Sequence, residues 1–133
     1  MNALQKIVIP THTDDRGPLS VIEIKDYVDW KPERVYYLTD VKKNRAGHAV
    51  KNEKKIYVCQ KGSFTARFHD GNDWVEFNLS GPGDAVIMNE VCYRDFINFS
   101  EDAVLLAISS VNYVPEDYIF DLDEFLEFKR NQS

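Results

Sequence analysis

The chain has 133 residues, 44% hydrophobic and 29% charged, enough for one domain of ordinary globular composition with a core of its own. Sixteen basic against twenty-two acidic residues leave a net charge of −6. That argues against a general nucleic-acid or anionic-membrane binder, although two or three local arginines can still hold a phosphate. No apolar run approaches the ~20 residues that span a bilayer, and Met1–Pro10 lacks the apolar core of a signal peptide, so the cytoplasm is the expected compartment.

In chain order, Asp14-Asp15-Arg16-Gly17 reads as a turn ahead of a first strand over Leu19–Ile24. Arg16 is either a salt-bridged turn residue or a bidentate phosphate donor, a task that arginine suits better than lysine. Val35–Leu38 is a second short strand. Within it Tyr36 and Tyr37 must point to opposite faces, so only one can line an interior. A turn-rich stretch from Asp40 to Gly47 leads to His48, which has an arginine (Arg45) and a glycine beside it; glycine permits close approach of a ligand. His12 and His69, in a polar loop and beside a turn, read as solvated.

Ile56–Cys59 is the next strand, followed by the clearest local pattern. Phe64, Ala66 and Phe68 alternate with Thr65 and Arg67; His69-Asp70-Gly71-Asn72 forms a turn; then Val75, Phe77 and Leu79 alternate with Trp74, Glu76 and Asn78. That predicts a β-hairpin. Gly81-Pro82-Gly83 separates it from strands over Ala85–Met88 and Ala103–Ile108, with Tyr93-Arg94-Asp95 at a strand end between them. Turn signals about every ten residues point to an all-β sandwich or barrel. A helical period begins only after Pro115-Glu116-Asp117, predicting an acidic helix over Glu116–Glu127 with Tyr118, Leu122, Phe125 and Leu126 on one face. Cys59 and Cys92 sit in apolar runs and read as buried thiols, and no paired Cys/His spacing suggests zinc.

Four segments, in order, carry a resemblance. They are Asp15-Arg16-Gly17-Pro18-Leu19-Ser20-Val21-Ile22-Glu23, then Arg34-Val35-Tyr36-Tyr37-Leu38, then Arg45-Ala46-Gly47-His48-Ala49-Val50-Lys51, and finally Ser109-Ser110-Val111-Asn112-Tyr113 with Asp117-Tyr118-Ile119. Together they resemble the sugar-nucleotide 3,4-ketoisomerases, WxcM-like cupins that act on thymidine diphosphate 4-keto-6-deoxyglucose. The likeness runs from about Ile7 to Phe128. It implies a jelly-roll barrel of antiparallel strands with a short C-terminal helix, a homodimer, and a cytoplasmic enzyme of deoxysugar biosynthesis for a surface glycan such as lipopolysaccharide. The ligand would be a dTDP-linked keto-sugar, with no cofactor, nucleic acid or membrane partner.

The implied reaction removes a proton from C3 beside a C4 ketone, passes through an enediol(ate), and returns a proton at C4; histidine suits it because its pKa lies near operating pH. His48 is the expected base or shared acid/base. Tyr37 and Arg94 are the other catalytic candidates, Arg94 as a stabiliser of a developing oxyanion. Arg16, Arg45, Tyr93 and Lys51 are the expected substrate contacts. Three positions depart from the family pattern: Val50 stands in place of a second histidine, Tyr93 in place of a tryptophan, and Arg94 in place of the histidine beside it. Valine transfers no proton. His48 therefore acts alone, or a tyrosine or water assists, or the chemistry differs; a 3,5-epimerase-like enzyme and a non-catalytic sugar-nucleotide binder stay open. With so few imidazoles, no metal is expected.

Overall fold

The computed structural model describes residues 2–132, and of Ala46 the backbone alone. Short alternating runs bounded by turn residues form twelve strands among the described residues, and every strand pairing is antiparallel. One sheet runs in the spatial order β1 (Leu4–Val8), β9 (Asp84–Met88), β6 (Lys55–Lys61), β11 (Val104–Ser109), β4 (Arg34–Leu38). The second runs β12 (Tyr118–Ile119), β5 (Arg45–Val50), β10 (Tyr93–Ile97), β7 (Ser63–His69), β8 (Trp74–Ser80). A separate hairpin pairs β2 (Thr11–Asp14) with β3 (Gly17–Ser20). The two five-stranded sheets pack face to face, as the all-β jelly-roll expectation requires.

The predicted hairpin is β7–β8, with Phe64 opposite Leu79 and Phe68 opposite Val75. Its turn closes because the Asp70 carboxylate accepts from the backbone N–H groups of Asn72 and Asp73, while Gly71 takes a φ of +107°, natural only for glycine. Between the sheets, Tyr57, Phe64, Phe68, Leu79, Met88 and Phe96 form the main core. β6 is apolar on both faces because Ile9, Ile22, Tyr27 and Trp30 cover its outer side. Cys59 and Cys92 are buried and unpaired with each other; burial pushes their thiols up, to about 11 and about 12, away from the reactive thiolate.

Three expectations are corrected. The strand predicted over Leu19–Ile24 is shorter, ending at Ser20, and a single 3-10 turn takes Ile24–Asp26. The C-terminal helix α1 starts later, at Leu122–Asn131, where the Asp121 side chain accepts from the Asp123 N–H as an N-cap. Tyr118 and Ile119 pair instead with Val50 and Ala49 as a strand, which removes Tyr118 from the helix face. His69 is buried, not solvated: its ring meets Trp74 and Phe125 edge-on, and its Nδ1 accepts from the Gly71 N–H. Helix α1 covers the outer face of the second sheet, where Phe125 packs with Ala49 and Ile119.

Candidate active site

A cleft of about 400 Å³ opens between β4 of the first sheet and β5, β10 and β12 of the second, lined by Tyr36, Leu38, Asn44, Arg45, His48, Phe96, Leu105, Tyr118 and Phe120. Two local features aim the polar side chains into it. On β4, alternation sends Arg34, Tyr36 and Leu38 inward and leaves Val35 and Tyr37 outside. On β5, His48 lies opposite Arg94 but Arg45 lies opposite Phe96, so three steps on one strand match two on the other. That extra residue is a β-bulge, and it brings Arg45 onto the same side as His48 despite their odd separation. The His48 ring stacks on Tyr118 at 5.3 Å and meets Phe120 at 6.2 Å; Phe120 is 71% exposed and forms an aromatic lip.

Beneath the cleft lies a buried ionic floor. Glu53 follows a tight turn in which Asn52 takes a φ of +67°, a conformation that asparagine tolerates. Its carboxylate accepts from Arg94 Nη2 at 2.6 Å and from Ser109 Oγ at 2.7 Å, and the Lys55 ammonium stands 3.3 Å away. Lys55 also lies 4.6 Å from the centre of the Tyr36 ring and 5.2 Å from that of Tyr57. The Arg34 guanidinium also lies over the Tyr36 ring, 5.2 Å from its centre. Desolvation drives Lys55 down to about 7, helped by Arg94 and opposed by Glu53. Desolvation pulls the Glu53 carboxyl up, but Arg94, Lys55 and the hydrogen bonds outweigh it and hold it below the usual carboxylate range.

The structure sorts the expected site residues. His48 and Arg45 share the cleft. Arg94 is the cross-strand neighbour of His48, but at 1% exposure its guanidinium is committed to Glu53 and forms part of the floor, not the open wall. Tyr37 is replaced by its neighbour: it is 68% exposed on the outer face, and Tyr36 lines the cleft. Tyr93 also faces outward, against Trp74 and Phe125, because it is one residue out of phase with Arg94. It occupies the space left by Gly47, where an added Cβ would come within 2.5 Å of the Tyr93 ring; the glycine admits this side chain, not a ligand. Lys51 follows Val50 out of the sheet, and its ammonium covers the Phe128 ring of α1. Arg16 sits at the tip of the β2–β3 hairpin, ion-paired to Asp14, in a surface dip with His12 and Leu19. Val50 is buried on the His48 side of β5, paired with Tyr118.

Sequence reasoning missed Tyr36, Tyr118, Phe120 and the Glu53–Lys55 pair. The inward facing of Tyr36 was one of two options the alternation allowed, whereas nothing in Lys51-Asn52-Glu53-Lys54-Lys55 marks Glu53 and Lys55 as a buried pair. Among the described residues no cluster of three or more His, Cys, Asp or Glu is placed to hold a metal ion. No helix of the described residues is long and apolar enough to cross a membrane.

Comparison with known proteins gives this geometry a family. The profile described as FdtA, WxcM-like, C-terminal matches residues 2–130. The TDP-4-oxo-6-deoxy-alpha-D-glucose-3,4-oxoisomerase of Aneurinibacillus thermoaerophilus is 32% identical over 117 residues, 86% of this chain and 84% of that one. The chain belongs to the WxcM-like FdtA family. Among solved structures, the TDP-quinovose 3,4-ketoisomerase of Campylobacter jejuni superposes with a TM-score of 0.86 at 29% identity, covering 96% of this chain and 99% of that one. A sugar 3,4-ketoisomerase of Thermoanaerobacterium thermosaccharolyticum, solved in complex with TDP, gives 0.88 at 26% identity, covering 98% and 96%. This WxcM-like chain thus carries one cleft histidine over a floor of paired charges.

Proposed function

We propose that the protein interconverts the 4-keto and 3-keto forms of a TDP-linked 6-deoxyhexose through an enediol(ate). The observation that carries this reading is His48, held on a strand and open to the cleft, with Arg45 beside it and cationic groups below. A base in that setting removes a proton next to a ketone, and the positive floor favours the negative charge that develops on oxygen. The relatives named for 3,4-ketoisomerase activity support the substrate class. In this reading Arg45 holds the diphosphate or orients the sugar and Phe120 and Tyr118 stack on a flat ligand surface, which their shared lining of the His48 cleft supports.

Proton NMR of TDP-4-keto-6-deoxyglucose in deuterium oxide tests the reading, with wild-type protein and His48→Asn. The 3-keto sugar is expected from wild type, with deuterium at C4, and neither from the variant. Binding without any exchange at C3 would leave a sugar-nucleotide binder, the reading that buried Val50 favours. Deuterium at C5 as well would indicate an epimerase.

The remaining assignments are part of the same proposal. The chain is one domain that works as a cytoplasmic homodimer in making a deoxy- or amino-sugar for a surface glycan. Arg16 shares no cleft with His48 in its own chain. It contacts substrate only if a second copy presents it. Mixed dimers of Arg16→Ala and His48→Asn chains are then expected to recover activity that neither variant has alone.

A further inference from the structure

Moving a ketone from C4 to C3 relocates two protons, one between carbons and one between oxygens. His48 accounts for the first. Val50, buried on the same side of β5, supplies nothing for the second. Tyr36 and Tyr118 are the hydroxyl-bearing side chains of the cleft wall. They differ in what stands behind them. Tyr118 stacks on His48 and Phe120, whereas the Tyr36 ring faces the Lys55 ammonium at 4.6 Å and the Arg34 guanidinium at 5.2 Å. A cation over the ring face stabilises a phenolate more than a phenol. Lys55, 1% exposed, is kept there by Glu53, whose other partners are Arg94 and Ser109. Burying two cationic side chains, Lys55 and Arg94, against one carboxylate is costly for a fold and marks the place as functional.

We infer that Tyr36 is the second proton-transfer group of the cleft, and that Lys55, anchored by Glu53, is the positioning residue that fits it for the task. This rests on the ketoisomerase reading above. As His48 takes the C3 proton, the Tyr36 hydroxyl gives its proton to O4, leaving a neutral enediol, an imidazolium and a phenolate beside the Lys55 ammonium. The phenolate then takes the O3 proton while the imidazolium delivers its proton to C4. Carbon 3 is oxidised and carbon 4 reduced within one molecule, and both side chains return to their starting states.

The groups facing Lys55 are Glu53 ahead of β6, Tyr57 on β6, Arg34 and Tyr36 on β4, Arg94 on β10 and the Ser109 hydroxyl on β11; β9 presents the neutral Met88. Because Lys55 titrates at about 7, turnover is expected to fall as pH rises past that value and the ammonium loses its charge.

The test measures kcat and KM against pH, with TDP affinity, for wild type, Tyr36→Phe, Lys55→Met and Lys55→Arg. Tyr36→Phe is expected to lower kcat about a hundredfold while TDP still binds. Lys55→Met should lower kcat about tenfold, leave KM within about threefold, and abolish the alkaline fall. Lys55→Arg, permanently charged, should restore kcat and hold it on the alkaline side, which no purely structural role predicts. Should Lys55→Met not fold, the wild-type and Lys55→Arg profiles still decide. If wild type makes the 3-keto sugar and the Lys55 variants share its profile, or Tyr36→Phe keeps its kcat, the inference falls and the ketoisomerase stands. If wild type binds TDP but forms no 3-keto sugar, the ketoisomerase reading falls and takes this inference with it.

Discussion

Glu53 is a single carboxylate between two buried cations and a hydroxyl, and its removal leaves Arg94 and Lys55 facing each other without solvent. Glu53→Gln is expected to cost about 3–5 kcal/mol of stability, the usual result of stripping one partner from a buried pair, read by urea denaturation. Both partners make stability fall as pH falls, each over its own window. Glu53 has a lowered pKa, so its contribution is complete above the unfolded carboxyl value of about 4.3 and is lost as pH falls through the lower folded value. Lys55 is also lowered, to about 7, but it is a base. As pH falls from about 10.4, the unfolded chain takes up the lysine proton first and stability declines until pH reaches about 7, below which it levels off. Thermal melts across that window should slope in wild type and lose the slope in Lys55→Met.

Strand β5 brings His48 and Arg45 into the cleft together through its irregularity. A regular strand would send Arg45 to the face opposite His48; the bulge between them places both in the cleft. Gly47, inside the bulged stretch, makes room for Tyr93, which is itself wedged against Phe125 and Trp74. A methyl group there would force the ring off α1. Gly47→Ala is expected to cost about 1–3 kcal/mol, as overpacking does. Because the cause is one contact, the same change in a Tyr93→Ala background should cost much less; equal costs in both backgrounds would disprove the clash.

Across the whole molecule, charge is segregated. A chain of net charge −6 holds Arg34, Lys55 and Arg94 behind its cleft and Arg45 in its wall, while Asp121, Asp123, Glu124 and Glu127 cluster around α1. That distribution suits a small dianion better than a polyanion, whose length would meet the acidic surface. Thymidine diphosphate at a hundred times its dissociation constant should therefore stabilise the fold by about 2.7 kcal/mol, with the melting shift shrinking as salt is added. A shift unchanged by salt and by Arg45→Gln would remove the arginine from the ligand's surroundings.

Much of this was legible in the chain itself. Alternation over Phe64–Phe68 and Val75–Leu79, with Asp70-Gly71 between, determined the hairpin because period two and turn chemistry are local properties. The spacing of apolar runs determined the all-β class, and His48 and Arg45 stood out by their chemistry. Facing was another matter. Alternation says that Tyr36 and Tyr37 point apart, as do Tyr93 and Arg94, but which of each pair turns inward depends on which face of the strand meets the other sheet. The tertiary structure also decided that Tyr118 is a strand residue beside His48, since the pairing with Val50 joins residues far apart in sequence. It decided the floor as well: Glu53 and Lys55 look like surface charges along the chain, and only the packing of β6 against β11, β4 and β10 supplies the partners that let them be buried.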